Sequence, residues 1–270
     1  MIQEIINQNI WWQDRELIRR DPKIADLEGQ KFRWRPRVLD EFDLTGAPAL
    51  YTLRGPRQVG KTTALKILIR DLLRDPATAK EQAMYYTCDN IDTHQQLAEL
   101  VETYLDHVAR LNLSGRTLYL FLDEITSVPD WQRGMKHLAD LGRLQNTVVI
   151  LTGSSARDLR QGAERLPGRR GAIANPDKIM LPMDFSEFVG LVDPELAGRC
   201  SLQAATPGDS GKSRAEGIST LCDASCFSVL LALLPHRKPL TMLFDQYLLT
   251  GGYITAVNAF FRGGHIPFHL

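Results

Sequence analysis

The chain has 270 residues, 44% of them hydrophobic and 24% charged, a composition that suits a globular protein and excludes a compositionally disordered one. Its 32 basic residues balance 32 acidic ones, so no overall positive field draws it to nucleic acid and only local basic patches come into question. No apolar run approaches the roughly 18–20 residues of a membrane span, and the length suits one large α/β domain with a smaller appendage.

Residues 1–30 read as an N-terminal helical segment, with Ile6, Ile10, Leu17 and Ile18 at helical intervals among charges. The segment lacks the basic start and apolar core of a signal peptide. Pro22 breaks or restarts the helix, and Trp11 and Trp12 are read as packing residues. Phe32 to Arg37 leads in as an extended stretch. From residue 49 strand and helix patterns alternate, which implies a parallel sheet with crossover helices and a core domain over 31–193. Strands are expected at Ala49–Arg54, Ala83–Cys88, Thr117–Leu122, Thr147–Thr152 and Lys178–Leu181. Helices are expected near 61–74, 93–110, 131–143 and 155–162. Pro76 follows the first of these, and Asp130 is placed to cap the third. Residues 194–220, rich in Gly, Ser, Ala and Pro, read as a loop or flexible insertion. Residues 221–270 hold a second apolar stretch, Cys226 to Leu234, then a helix from Leu240 to Leu249 that Gly251-Gly252 ends. The cysteines, Cys88, Cys200, Cys222 and Cys226, are too few and scattered for a disulfide framework, so a reduced, cytoplasmic protein is expected. Cys222 and Cys226 share a helical spacing, but no second pair follows to complete a zinc site.

The chemistry sits at the ends of the strands. Gly55, Pro56, Arg57, Gln58, Val59, Gly60, Lys61 and Thr62 read G-x-x-x-x-G-K-[ST] between an apolar strand and a helix that continues with Thr63. Glycines let the backbone wrap a phosphate, and a helix N-terminus aims unpaired N–H groups at it. In this pattern Lys61 reaches the β- and γ-phosphates and the Thr62 hydroxyl holds Mg2+. Leu118 to Leu122 is apolar throughout and ends in Asp123-Glu124, an acidic pair at the carboxyl edge where parallel sheets bind ligands. Asp123 is expected to hold Mg2+ and Glu124 to polarise an attacking water; the alternative is a solvated acidic pair at a turn. The adjacent Glu favours hydrolysis over phosphoryl transfer to a metabolite. Another apolar strand ends in Thr152-Gly153-Ser154-Ser155, whose hydroxyls either read the γ-phosphate or cap the next helix. Arg165, Arg169 and Arg170 lie on a Gly/Pro-rich loop, suited to stabilising phosphate charge in cis or across a subunit boundary, or else simply solvated.

These four elements, in this order, resemble the AAA+-like P-loop ATPases of bacteria and archaea, in particular the branch whose AAA domain precedes a C-terminal domain of the DUF4143 type. The resemblance rests on GPRQVGKTT at 55–63, FLDEI at 121–125, VPDWQRGMKHLAD at 128–140 and ILTGSSARDL at 150–159. It continues through LPGRRG at 166–171, LPMDFSEF at 181–188 and YLLTGGY at 247–253. It implies an ASCE-type sheet in the order 5-1-4-3-2 followed by a small helical lid, here partial over 221–270. It implies Mg2+-ATP bound by a Walker A and Walker B pair using Lys61, Thr62 and Asp123, hydrolysis by Glu124, a sensor at Thr152 or Ser154, and Arg169 as the arginine finger. Thr126 stands where members carry Gln, Ile254 where they carry Pro, and the chain stops where they continue into the C-terminal domain. The function expected is ATP hydrolysis that couples nucleotide state to a partner, with oligomer formation allowed and no membrane role. A DNA-associated ATPase is the second reading, motivated by Arg33, Arg35 and Arg37 beside Trp34 together with the arginine loop. A nucleotide switch without hydrolysis is the third.

Overall fold

The structure, a computed structural model, describes residues 1–45, 48–113, 115–204, 233–264 and 266, with 201–204 described through their backbone alone. Cys222, Cys226, the apolar stretch up to 232 and the expected insertion over 205–220 lie outside these residues. Two compact units emerge: residues 1–30 with 35–181, and residues 31–34 with 182–270.

In the first unit, short helices α1 (Ile2–Gln8) and α2 (Pro22–Gly29) precede a five-stranded parallel sheet. Strands and helices then alternate. They are β1 (Ala49–Arg54), α3 (Lys61–Leu73), β2 (Ala83–Thr87), α4 (His94–Arg110), β3 (Leu118–Asp123), α5 (Trp131–Asp140), β4 (Thr147–Thr152), α6 (Ala156–Glu164) and β5 (Asp177–Ile179). The spatial order β2-β3-β4-β1-β5 is the one the family resemblance implies, read from the other edge. Strands β1 and β4 are buried almost throughout, which explains their unbroken apolar sequences. The register sets Leu122 beside Leu151, so the next residues of β3 and β4, Asp123 and Thr152, leave the sheet as neighbours.

Strand β2 lies at the sheet edge, and side chains of the N-terminal segment satisfy its outward backbone groups. The Asn9 amide donates to the Tyr85 carbonyl at 2.8 Å, while its oxygen accepts the Tyr85 N–H at 2.7 Å. Gln8 accepts the Thr87 N–H, and both indoles of Trp11 and Trp12 donate to the Ala83 carbonyl. Covering an edge in this way removes a template for unwanted strand pairing. Trp11 and Trp12 therefore pack, as expected, and also hydrogen-bond. Pro22 opens α2, with Asp21 as its N-cap accepting the Lys23 N–H. The Asp21 carboxylate also forms a buried ion pair with Lys66 of α3 at 3.0 Å.

Asp130 occupies the N-cap position of α5 but does not cap it. Its φ of 52° turns the carboxylate away from the helix amides and toward Gln132 and Arg133. In β3, Asp123 is itself the last strand residue, one beyond the expected end.

The second unit contains α7 (Phe185–Val192), α8 (Pro194–Ala204), α9 (Arg237–Thr250) and α10 (Ile254–Gly263). The loop expected from residue 194 is corrected over 194–204, which are helical. Pro194 opens the helix, and the preceding Asp193 accepts the Leu196 N–H. Asp184 and Glu187 form the capping box of α7, and Gly251 ends α9 in the left-handed conformation, the latter as read from the sequence. Phe185, Phe188, Phe244, Tyr247 and Phe261 pack, mostly edge-on or tilted, into an aromatic cluster. The Asn258 side chain holds Phe32 by its N–H and C=O. No helix among the described residues is long and apolar enough to cross a membrane.

Candidate nucleotide-binding site

The loop between β1 and α3 curls because its backbone enters left-handed conformations at Gln58 (φ 61°) and Gly60 (φ 100°), the latter open to glycine without strain. Gly55 passes so close to β5 that a Cβ there would collide with the Met180 carbonyl oxygen. Val59 is buried and anchors the loop, while Pro56, Arg57 and Gln58 form its exposed tip. At the start of α3 the amides of Lys61, Thr62 and Thr63 have no preceding helical turn to bond, which makes them donors for an anion. Lys61 is buried, and its ammonium donates to the carbonyls of Gly55 and Pro56, each at 3.1 Å. Burial pushes its pKa down, against the attraction of Glu124 and Asp123. The lysine thus serves as its own loop's clasp until an anion replaces those carbonyls.

Asp123 gathers three hydroxyls. Its Oδ2 accepts from Thr62 at 2.7 Å and from Tyr85 at 2.9 Å, and its Oδ1 accepts from Thr152. The Thr152 oxygen in turn accepts the Glu124 N–H at 3.2 Å, so one threonine bridges both acidic residues. Glu124 leaves the strand with φ 52°, and a short turn over Ile125–Ser127 fixes that departure. In that turn the Ser127 hydroxyl links the carbonyls of Glu124 and Cys88, at 2.7 and 2.9 Å. Thr126, half-buried, abuts Gly153 of the neighbouring loop.

The Thr152 hydroxyl has a single proton, and Asp123 receives it, so in this arrangement Thr152 positions the acidic pair rather than facing a phosphate. Ser154 is exposed beyond the strand end, and Ser155 is the residue that caps α6. Of the two roles read for this stretch, the capping one belongs to Ser155.

Arg169 is not brought to the phosphate loop. It pairs with Asp140 at the end of α5, at 2.5 Å. The adjoining Arg170 carbonyl accepts the Leu50 N–H, at the amino end of β1, whereas the phosphate loop departs from the carboxyl end after Arg54. A six-residue strand separates these ends by ~16–20 Å, beyond the reach of an arginine side chain, so action of Arg169 in cis is ruled out. Arg170 is a sheet-edge brace, bound to Asp177 at 3.0 Å and to the Leu50 carbonyl. In the basic–aromatic stretch read for DNA, Arg33, Arg35 and Arg37 are exposed, but the stacking role is corrected. Trp34 is buried and cannot stack a base, and Arg35 is engaged by Asp40 and Asp71.

Tyr85, Lys66 and Asp21 belong to this site's surroundings although no motif marked them. The Lys66 ammonium lies 3.4 Å from the Tyr85 ring centroid and 4.7 Å from that of Trp11. Burial raises the Tyr85 pKa far above its ordinary value, with the Asp123 charge and hydrogen bond adding to it, so the phenol is a fixed donor. Burial likewise raises that of Cys88, which keeps this thiol neutral. Tyr85 could have been suspected only from strand pairing, because its partner in register, Phe121, shares a strand face with Asp123.

Thr62 and Asp123 present hard oxygen donors joined by one hydrogen bond, the donor chemistry that Mg2+ takes from a protein while water and phosphate complete its shell. The donor set therefore fits this cation.

A model of the AAA domain family matches residues 47–189, just over half of the chain. No curated protein matches it. Among solved structures, ORC2 of Aeropyrum pernix in its ADPNP-ADP complexes is similar with a TM-score of 0.41 and 16% identity, over 64% of this chain and 51% of that one. ORC1 of Aeropyrum pernix in complex with DNA gives 0.39 and 15%, over 82% and 68%. A Walker-type ATPase of Pyrococcus abyssi gives 0.37 and 18%, over 78% and 69%. The chain spans about half the length of the first of these structures. Sheet order, phosphate loop and the family match over residues 47–189 agree, and the chain belongs to the AAA domain family.

Proposed function

We propose that this protein hydrolyses ATP to ADP and phosphate at the Gly55–Thr63 loop and the Asp123-Glu124 pair, and couples nucleotide state to a protein partner. The observation that carries the reading is the 2.7 Å contact of Thr62 with Asp123, which joins the loop and the acidic strand end into one site. Gly55 to Thr63 wrap the phosphates through backbone amides, and Lys61 exchanges the Gly55 and Pro56 carbonyls for the β- and γ-phosphates. Thr62 and Asp123 would hold Mg2+, which when bound neutralises charge on the phosphate oxygens. Glu124 accepts a proton from the attacking water as it adds to the γ-phosphorus, and the β–γ bridging oxygen leaves with ADP. Thr152 keeps Asp123 and Glu124 in fixed relation, and the exposed Ser154 hydroxyl serves as the γ-phosphate sensor. The amino-edge position of Arg169 supports a finger that acts only on a neighbouring subunit. Membership of the DUF4143 branch, assembly into an oligomer and residence in the cytoplasm are parts of the same proposal.

Single-turnover hydrolysis by wild type and Glu124→Gln tests it, with ATP binding measured alongside. Removing a general base lowers the rate by about 10²–10⁴-fold while binding persists. Equal rates in the two proteins would leave a nucleotide switch and defeat the catalytic role of Glu124.

A further inference from the structure

We propose that Tyr85 is a positioning residue for the Asp123 carboxylate, set in place by the N-terminal segment through the buried Asp21–Lys66 pair. The inference rests on the reading of Asp123 as a Mg2+-holding group. Tyr85 and Thr62 both donate to Asp123 Oδ2, at 2.9 and 2.7 Å, while Thr152 occupies Oδ1. Thr62 has a second task at the phosphates; Tyr85 has none, so its hydroxyl is the donor dedicated to aiming this oxygen.

Three independent holds fix Tyr85. Asn9 pairs with its backbone N–H and C=O, the Lys66 ammonium sits 3.4 Å from its ring centroid, and its hydroxyl ends on Asp123. Lys66 is itself fixed by Asp21 at 3.0 Å, and both residues are buried. Burying an ion pair is a poor route to stability, because desolvation offsets most of the attraction. A cation held against a tyrosine face instead fixes where that ring, and hence its hydroxyl, points. Asn9 and Asp21 both come from residues 1–30, so the segment that covers the sheet edge also sets the donor beside the acidic strand end. Groups that orient a metal-holding side chain alter metal affinity by about 10–100-fold when removed.

The test uses the full chain and the fluorescence of N-methylanthraniloyl-ATP, titrated with Mg2+ from an EDTA baseline. Tyr85→Phe keeps the ring and its contact with Lys66 and removes only the donor. The Mg2+ concentration at half-signal rises about tenfold or more, while nucleotide affinity in EDTA stays within twofold of wild type. Asp21→Asn leaves Tyr85 and Asp123 intact and moves the half-point in the same direction by less. An unchanged half-point in Tyr85→Phe overturns the role of Tyr85, and one in Asp21→Asn overturns the link to the N-terminal segment. Equal loss of metal-free and metal-dependent binding marks a merely structural role and overturns the proposal as well. If Tyr85→Phe does not fold, the Asp21→Asn half-point decides. Asp123→Asn separates this idea from its foundation: a wild-type Mg2+ response there rejects the function proposed for Asp123. Loss of the response in Asp123→Asn with a normal one in Tyr85→Phe rejects Tyr85 alone.

Discussion

Replacing Asp21 by asparagine strands the Lys66 ammonium in the interior. Lys66 and Asp21 are 4% and 5% exposed and 3.0 Å apart, so the lost attraction is ~5 kcal/mol at an effective dielectric constant of about 20. The rings of Tyr85 and Trp11 remain over the cation and retain ~1–2 kcal/mol each. Those ring contacts are present before and after the change and cancel; relaxation around the cation recovers part of the lost attraction, which leaves a net destabilisation of about 3–4 kcal/mol, within the range for breaking buried pairs. For a domain of this size that lowers Tm by roughly 6–16 °C. Asparagine still caps the Lys23 N–H, so the change reports charge and not the lost cap. Lys66→Met combined with Asp21→Asn buries no charge, and its stability returns to within about 1 kcal/mol of wild type. Burial depresses the Lys66 pKa, with Asp21 opposing, so the unfolded chain binds this proton more tightly than the native one. Stability from this group accordingly rises with pH between the depressed native value and the ordinary lysine value of about 10.4, and the Asp21→Asn deficit shrinks over that window. Urea unfolding followed by far-ultraviolet circular dichroism at neutral and alkaline pH measures Asp21→Asn, Lys66→Met and the double variant. A double variant as unstable as the sum of the singles would refute the pairing.

Asn9→Ala leaves the Tyr85 N–H and C=O buried without partners and destabilises by about 2–4 kcal/mol; hydrogen exchange at the Tyr85 amide accelerates, and unchanged protection would contradict the edge-covering role. Asp177 is partly buried, which would raise its pKa, but hydrogen bonds from Arg170 and Thr52 and the nearby arginine charges lower it overall. Its contribution is present above the ordinary value of about 3.9 and disappears as pH falls through the lower native value, so the Tm gap between wild type and Asp177→Asn, clear at pH 6, closes in strong acid. Thr152→Val removes the bridge between Asp123 and Glu124 with little change in shape; turnover drops about 10–100-fold at near-constant ATP affinity, and a parallel loss of both would point to misfolding. Lys61→Ala abolishes ATP binding in a folded protein, which equilibrium titration with a fluorescent ATP analogue checks.

What was legible in the sequence follows the range of the interactions involved. The phosphate loop is a contiguous run in which Gly60 answers a local backbone requirement, and β3 is continuous and apolar because both faces are covered, so these elements declare themselves. The end of α9 at Gly251 is equally local. The acidic pair was legible, but the company it keeps was not. Tyr85 reaches Asp123 across 38 residues, and Asp21 reaches Lys66 only once α2 has packed beside α3. Asp130 was misread because a residue type favoured at N-caps takes a left-handed backbone instead, and its side chain follows. The sequence left Arg169 open between action in cis and across a subunit boundary, because sequence order places its loop after the strand that ends in Thr152, while the intervening α6 carries the chain back to the amino edge. In the stretch from 194 to 204, abundant small residues suggested a loop, yet Pro194 after the capping Asp193 starts a helix.

The two halves of the site differ in how much must change when a nucleotide arrives. On the strand side, Asp123 has both oxygens occupied by hydroxyl donors, and Glu124 is tied to Thr152 through its amide. The register of β2, β3 and β4 already places two of the donors, Tyr85 and Thr152. On the loop side, the Lys61 ammonium is spent on carbonyls of its own loop, and only the exposed Pro56–Gln58 tip lies free of the packed core. A triphosphate offers that buried cation full negative charge in place of two neutral carbonyls, and this difference favours exchange. Reorganisation is thereby confined to one side chain and a few loop residues, while the acidic side stays rigid. Selective rigidity of this kind suits a hydrolase, whose water and carboxylate need fixed geometry and whose phosphate grip has to open again for product release.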